Sequence, residues 1–511
     1  QQLYALTAIS MEIGRQVGLL INRAGKTVHV IAGDSQGIVI PETPDYKAVP
    51  GRLKGLRCIH THISREALTQ DDLTDLSLLR LDLMAAVTIT ETGEPDLIYR
   101  AHVLPSEEGD PYETMPAVNH DGLNMDCNAL ITALESELSR KNALHKVEDG
   151  QEKALLIHAA TGDPQVSKAS LDELEELCIS SGIKVIGRAV QNRKIMDPKY
   201  VVGKGKLSEL TIQAIQRYAS IMIFDTELTP AQIRSITDFV EMKVIDRTQL
   251  ILDIFAGRAK SREGKLQVEL AQLKYLLPRL ITKNSAMSRL TGGIGGRGPG
   301  ETKLEINRRR VRDKIVRLGN EIKKIRKQRT QQRARRNRKN VPVISIVGYT
   351  NAGKSTLLNT LTQSDILAED KLFATLDPSS RRLRFPRDIE VIITDTVGFI
   401  QHLPHELMEA FHATLEELED ADILLHVIDI SNPRYEQQMR SVEKILETLK
   451  LDTIPVIHVF NKQDRINIGD FDNPGLLKEG VLVSAIKKET LKPLVSRIED
   501  MIISHPICYA S

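Results

Sequence analysis

Apolar positions along the chain keep four different rhythms, and each predicts a different kind of structure. In residues 1–150 they form short runs, VGLLINR, VHVIAG, GIVIP, AAVTIT and LIYRAHVLP, set among helical stretches. Short runs of this kind read as strands, so an additional N-terminal α/β domain is expected there. The polar segment DGQEKA marks its end. In residues 151–250 the runs ALLIHAA, KVIGRAV, SIMIFD and KVIDRT alternate with helical SLDELEELCISSG and TPAQIRSITDFVE. Strands alternating with helices predict a small parallel α/β sheet. VVGKGKLSEL in the same section reads as a glycine-containing turn entering a helix.

Residues 251–340 change period. Leu266, Leu270, Leu273, Leu277 and Leu280 are spaced 4, 3, 4, 3, and Val311, Ile315, Leu318, Ile322 and Ile325 repeat that spacing. Two heptad stripes separated by the glycine-rich TGGIGGRGPGETKLE predict an antiparallel helical arm. Residues 341–503 return to strands and helices in alternation, as in a doubly wound, mostly parallel sheet, and 504–511 form a tail. The class is therefore multi-domain α/β.

Charge sharpens one part of this picture. The net charge is +1, yet residues 306–340 carry 16 Lys/Arg against Asp313 and Glu321, a local +14, so the rest of the chain sums to −13. One helix concentrating the positive charge points to a polyanionic partner. Four cysteines lie far apart without a CxxC pair, which fits reduced thiols and argues against a disulfide framework. No apolar run approaches the roughly 18 residues that cross a bilayer. The opening QQLYALTAISMEIGRQ has no basic start followed by an apolar block, although the first residue is not Met. A cytoplasmic, monomeric protein is expected.

The chemistry sits after Pro342. VPVISIVGYTNAGKST is a strand, a loop and a helix start, and Gly348 to Ser355 matches G-x-x-x-x-G-K-S. Gly348 and Gly353 allow close backbone approach. The N–H groups of Tyr349, Thr350, Asn351 and Ala352 can then point at phosphate oxygens. Lys354 supplies a charge for the β- and γ-phosphates, and Ser355 offers its hydroxyl to Mg²⁺, with Thr356 following. EVIITDTVGFI ends a second strand in Asp395, Thr396, Val397 and Gly398. Asp395 can hold Mg²⁺ through water, and the Gly398 N–H can sense the γ-phosphate. PVIHVFNKQD places Asn461, Lys462 and Asp464 at the end of another strand. The Asp464 carboxylate can accept both N1–H and the exocyclic amine of guanine, a donor pair that adenine lacks. VLVSAI brings Ser484 and Ala485 to the place where GTPases contact the guanine oxygen. These motifs predict a GTP/GDP site using Mg²⁺, with Lys354, Thr375 and Gly398 as the catalytic groups. Thr375, within KLFATLDPSSRRLRF, is the expected switch threonine for Mg²⁺ and γ-phosphate. Ras-like enzymes place a water-orienting Gln after DxxG. Phe399 stands there instead, so slow intrinsic hydrolysis completed by a partner or by another residue is expected.

The stretch RTQLILDIFAGRAKSREGKLQVELAQLKYLLPRL with GGIGGRGPGETKLE, followed by GYTNAGKSTLLN, LFATLDP, DTVGFI and NKQD, resembles the HflX family of translational GTPases over roughly residues 155–503. The resemblance implies binding to the large ribosomal subunit and the splitting or rescue of stalled ribosomes under stress. It implies that Arg297, Lys303, Arg308, Arg309, Arg310, Arg312, Arg333, Arg335, Arg336, Arg338 and Lys339 face ribosomal RNA. A C-terminal domain found in longer members is expected to be reduced or absent.

Outside that core, IHTHISREALTQDD places His60 and His62 before Thr69 and Asp72. The pattern resembles the H-x-H…S-x-x-D zinc motif of JAMM-type peptidases. It is one residue shorter, carries Ile63 in place of the expected Pro, and offers Glu12 as the upstream carboxylate. Zinc on His60, His62 and Asp72 is one reading. A related fold without metal, or surface histidines at a strand end, is the expected one. Two alternatives to the ribosomal switch follow: a nucleotide-dependent RNA remodeller, and a regulator of protein turnover with an N-terminal zinc peptidase.

Overall fold

The computed structural model describes residues 1–41, 43, 45–46, 51–106, 109–122, 125–149, 151–160, 164–240, 242–280, 303–337, 341–362, 379–396, 398–400, 418–466 and 480–504. The chain divides into two compact units. One comprises residues 1–171, 182–226 and 231–245, and the other residues 172–181, 227–230 and 246–511.

The first unit contains two sheets. One has the order β2-β1-β3-β4-β5-β6, from β1 (Val17–Asn22), β2 (Thr27–Ala32), β3 (Leu56–His62), β4 (Leu83–Ile89), β5 (Pro95–Val103) and β6 (Tyr112–Asn119). All seven residues of β4 are buried, as expected for an apolar strand covered on both faces. Three helices belong to this part: α1 (Gln2–Ile13), α2 (Gln70–Leu79) and α3 (Cys127–Asp149). Two departures from expectation are instructive. β3 and β6 were not anticipated, because LRCIHTH and YETMPAVN interleave polar residues with few apolar ones. Conversely GIVIP forms no strand: Ile38 and Ile40 pack against the core as side chains only, after an Asp34 turn whose carboxylate accepts the Gln36 and Gly37 N–H groups.

The second sheet has the order β10-β9-β7-β8, from β7 (Lys153–Ala160), β8 (Lys184–Asn192), β9 (Ile221–Phe224) and β10 (Lys243–Asp246). β7 pairs in parallel with both β8 and β9. α4 (Pro164–Ser180), α5 (Lys204–Gln216) and α6 (Pro230–Val240) supply the intervening helices, and Gly203 caps α5 as the turn in VVGKGKLSEL requires.

The second unit holds α7 (Arg247–Arg258), α8 (Arg262–Arg279) and α9 (Lys303–Asn337). Ion pairs Glu269–Lys314 and Arg262–Glu321 join α8 to α9 in antiparallel register. On α9 the stripe residues Leu318 and Ile322 are buried. On α8 the leucine stripe is only half-buried, and Val268, Ala271 and Tyr275 go deeper, because α8 packs on α7 as well. The remaining sheet runs β12-β13-β11-β14-β15-β16, from β11 (Val343–Gly348), β12 (Ser379–Arg384), β13 (Glu390–Asp395), β14 (Ile423–Asp429), β15 (Val456–Asn461) and β16 (Val481–Leu482). β13, β11, β14, β15 and β16 are parallel, with β12 antiparallel at one edge. α10 (Lys354–Thr362), α11 (Tyr435–Thr448) and α12 (Lys492–Ser504) accompany it. Among the described residues no helix is long and apolar enough to cross a membrane.

Candidate functional site

Parallel strands deliver their carboxyl ends to one edge of a sheet, where α/β folds place ligands. Here β11, β13, β15 and β16 end at Gly348, Asp395, Asn461 and just before Ser484, so the four predicted motifs meet there.

The loop between β11 and α10 needs its glycines. A Cβ on Gly348, at φ 150°, would lie 2.3 Å from the Val427 carbonyl oxygen. One on Gly353, at φ 93°, would lie 2.3 Å from the Asn461 amide nitrogen. Lys354 is buried at the start of α10 and donates to the Tyr349 carbonyl at 2.8 Å, folded back over the loop that would hold phosphates. Burial pushes its ammonium down to about 8, against the attraction of Asp395. Gly398 lies alongside. A Cβ there would come within 2.9 Å of the lysine nitrogen and 2.8 Å of the Thr350 methyl.

The Ser355 hydroxyl donates to Asp395 Oδ2 at 2.7 Å. A hydroxyl and a carboxylate at the mouth of a phosphate loop form an all-oxygen donor pair, which suits Mg²⁺. Ser355 would bind it directly and Asp395 through water, and the ion supplies neutralisation of phosphate charge. Thr396 donates from its hydroxyl to the Ile346 carbonyl at 2.6 Å, anchoring the end of β13 to β11.

Phe399 is 2% exposed. Its N–H donates to the Gly348 carbonyl at 3.1 Å, and its carbonyl accepts the Thr350 N–H at 2.8 Å. The residue in the glutamine position is therefore an apolar side chain packed inside, tied by its backbone to the phosphate loop.

The base pocket is built around Asn461. Its amide donates to the Ala352 carbonyl at 2.8 Å and its oxygen accepts the Ala485 N–H at 2.8 Å, so one side chain joins the phosphate loop to the Ser484–Ala485 turn. Ser484 donates its hydroxyl to Asp464 Oδ1 at 2.6 Å, and that bond holds the Asp464 carboxyl below its usual range. Lys462, at φ 66°, pairs with Asp429 at 2.7 Å.

Sequence reasoning missed Asp429, which closes the apolar run ILLHVID and orients Lys462; an acid at the carboxyl end of a parallel strand was the available signal. It also missed Glu173. Within the second unit this carboxylate accepts the Tyr349 hydroxyl and pairs with Arg247 at 2.5 Å, bracing the second residue of the phosphate loop. Nothing local in the sequence announces a partner 176 positions away.

Thr375, Val397, Arg297, Arg338 and Lys339 lie outside the described residues. Arg308, Arg309, Arg310, Arg312, Arg333, Arg335 and Arg336 all lie on α9, and Lys303 begins it. His60 and His62 are not surface residues: both are buried at the end of β3, and Asp72 on α2 joins them. Glu12 is exposed on α1; the buried polar residue near its place is Gln16.

A phosphate charge placed beside Lys354 would restore the proton that burial disfavours. Nucleotide binding is then linked to proton uptake, and affinity falls as pH rises from the free-state value near 8 toward the higher bound-state value. Calorimetry of GDP binding at about pH 8.5 in buffers of different ionisation heat is expected to show uptake of a substantial fraction of one proton. A buffer-independent heat contradicts the linkage.

Residues 168–256, 258–336 and 343–462 match three protein families, described as GTP-binding GTPase N-terminal, GTP-binding GTPase middle region, and 50S ribosome-binding GTPase. The GTPase HflX of Caldanaerobacter subterraneus subsp. tengcongensis is 47% identical over 358 residues, covering 70% of this chain and 82% of that protein. That of Escherichia coli K12 is 46% identical over 325 residues, 63% of this chain and 75% of that protein. A GTP-binding protein from Sulfolobus solfataricus, solved with GDP, is similar at 24% identity over 69% of this chain and 99% of its own, with a TM-score of 0.40.

Proposed function

This chain belongs to the HflX family of GTPases, and from that premise we propose that it is a GTP-governed switch that binds the large ribosomal subunit and splits or rescues stalled ribosomes. GTP binding and hydrolysis follow from the family and the P-loop domain. The ribosomal step rests on α9. It is a 35-residue helix whose excess cations include the exposed Arg309, Arg310 and Arg312, and five residues separate its end from β11 of the nucleotide site. A helix of this kind suits an RNA phosphate backbone.

In this reading Lys354, the Gly398 N–H and Thr375 respond to the γ-phosphate. Ser355, Thr375 and water-linked Asp395 hold Mg²⁺. Lys303, the α9 arginines, Arg297, Arg338 and Lys339 contact ribosomal RNA. Loss of the terminal phosphate relaxes the switch segments and lets the protein leave. Buried Phe399 leaves water positioning to another group, so hydrolysis is slow until the ribosome completes the site.

The test is co-sedimentation with separated subunits in a non-hydrolysable GTP analogue, GDP and no nucleotide. Binding is expected with the large subunit and strongest with the analogue. Replacing Arg308, Arg309, Arg310 and Arg312 with glutamine should weaken it and flatten its salt dependence by up to about four in the logarithmic slope. Nucleotide-independent binding contradicts the switch, and an unchanged salt slope removes this helix from the interface.

A further inference from the structure

The first unit holds a second chemical site, on elements that the family match does not reach. β3 sits between β1 and β4, in antiparallel register with Gly18 opposite His60 and in parallel register with His62 beside Thr88. His60 and His62 are two apart and share one face of the strand. They are 0% and 1% exposed. Asp72 approaches from the first turn of α2, where a capping box fixes it: its Oδ2 accepts the Thr69 N–H at 2.8 Å and the Thr69 hydroxyl at 2.7 Å. Four atoms of three side chains then converge. His60 Nε2 lies 2.9 Å from His62 Nε2 and 3.1 Å from Asp72 Oδ1, and His62 Nε2 lies 3.3 Å from Asp72 Oδ2.

Proton accounting makes this cluster informative. His62 Nδ1 is 3.0 Å from the Glu66 carbonyl oxygen, which only accepts, so Nδ1 carries the proton. In a neutral ring Nε2 then presents a lone pair to a carboxylate oxygen and to a second imidazole nitrogen. That lone pair and the anion are satisfied either by a proton on His60 Nε2, donated across the 2.9 Å contact, or by a cation held among the three side chains. The spacing suits a metal. Zinc with Zn–N bonds of about 2.0–2.1 Å in a tetrahedron sets ligand–ligand edges of roughly 3.3 Å, close to the three separations here. The His62–Glu66 bond is the outer contact that orients a metal-bound imidazole.

A further observation points into the same place. Gln16 is 1% exposed, and both its amide nitrogen and its amide oxygen are buried without a hydrogen-bond partner. Extending the β1–β3 register by two residues from Gly18–His60 sets Gln16 opposite His62, on the face that carries both histidines. Three protein ligands leave one position of a tetrahedral ion open.

We propose that His60, His62 and Asp72 bind one zinc ion, with the Gln16 amide hydrogen-bonding whatever occupies its fourth position. Gln16 offers hydrogen bonds and no base, unlike the carboxylate expected at Glu12. The rival account of the same geometry is a proton in place of the ion, carried on His60 Nε2 and donated to His62 Nε2.

Metal analysis separates the two. The full chain, tag removed, is dialysed with zinc chloride and then against buffer, and its zinc is counted by mass spectrometry. One equivalent per chain is expected, falling below about one-tenth in His62→Ala and in Asp72→Asn. Cobalt chloride should give the intense visible bands of a tetrahedral ion. Gln16→Ala should keep the metal and shift those bands, since it alters the fourth position only. Unchanged circular dichroism keeps the histidine and aspartate variants interpretable. Should either unfold, the cobalt spectrum of the unaltered chain decides alone. Zinc below one-tenth equivalent in the unaltered chain, with no tetrahedral cobalt spectrum, overturns the proposal in favour of the hydrogen-bonded, metal-free cluster.

Discussion

Lys354→Ala is expected to lower single-turnover GTP hydrolysis by at least about 10³-fold, the scale at which a positive group aimed at transferring phosphate contributes to the barrier. The geometry says why the loss lies in catalysis and not in folding. Lys354 is buried, bonded to the Tyr349 carbonyl, and its charge is disfavoured there. Removing the cation relieves that desolvation cost but also takes its attraction from buried Asp395, so any fall in thermal stability without nucleotide should be small beside the loss of turnover. With nucleotide bound, the same side chain is expected to leave the loop carbonyl for the β- and γ-phosphates, where its charge would become favourable. Phosphate release from a preformed GTP complex, with a melting curve on the same sample, checks both halves. Turnover within about tenfold of the unaltered protein would separate this lysine from the reaction.

Asp464→Asn carries the second large effect. The carboxylate is held ionised by the Ser484 hydroxyl and offers its other oxygen outward. Guanine satisfies it with two N–H donors. An asparagine amide instead presents a donor to the guanine amine, and GTP should lose about 10²–10⁴-fold in kcat/KM. Xanthine carries an oxygen where guanine carries the amine, so xanthosine triphosphate should gain by a comparable factor. Asp464 is exposed and its neighbours Asn461, Ser484 and Ala485 keep their own bonds, so the change stays local. Hydrolysis of the two nucleotides under matched conditions reads the switch directly, and unchanged preference contradicts it.

The nucleotide site was legible because its chemistry demands particular residues at strand ends. Gly348 and Gly353 stand where a Cβ would strike Val427 or Asn461, and Asp395 and Asn461 close apolar strands whose runs are unmistakable. What escaped was whatever depends on distant partners or on strands without an apolar pattern. β3 was hidden by its own polar residues, Arg57, His60, Thr61 and His62. Once that strand is in place, its period of two aligns the histidines, and the capping box of α2 supplies Asp72. Tyr349 reads as a loop residue until Glu173 is brought to it. Lys462 reads as part of a motif until Asp429 shows what orients it. The leucine spacing of α8 predicts one buried stripe, but those leucines are only half-buried and Gln267, Val268, Ala271 and Tyr275 go deeper, since a helix between two neighbours buries more than one stripe.

Titration calorimetry of the unaltered protein with GDP, a GTP analogue and ATP, in Mg²⁺, bears most directly on the guanine pocket on which the proposed switch and ribosomal role rest. Both guanine nucleotides are expected to bind, with ATP weaker by about 10³-fold or more. Equal affinity for ATP, or no binding of any of the three, would contradict the account.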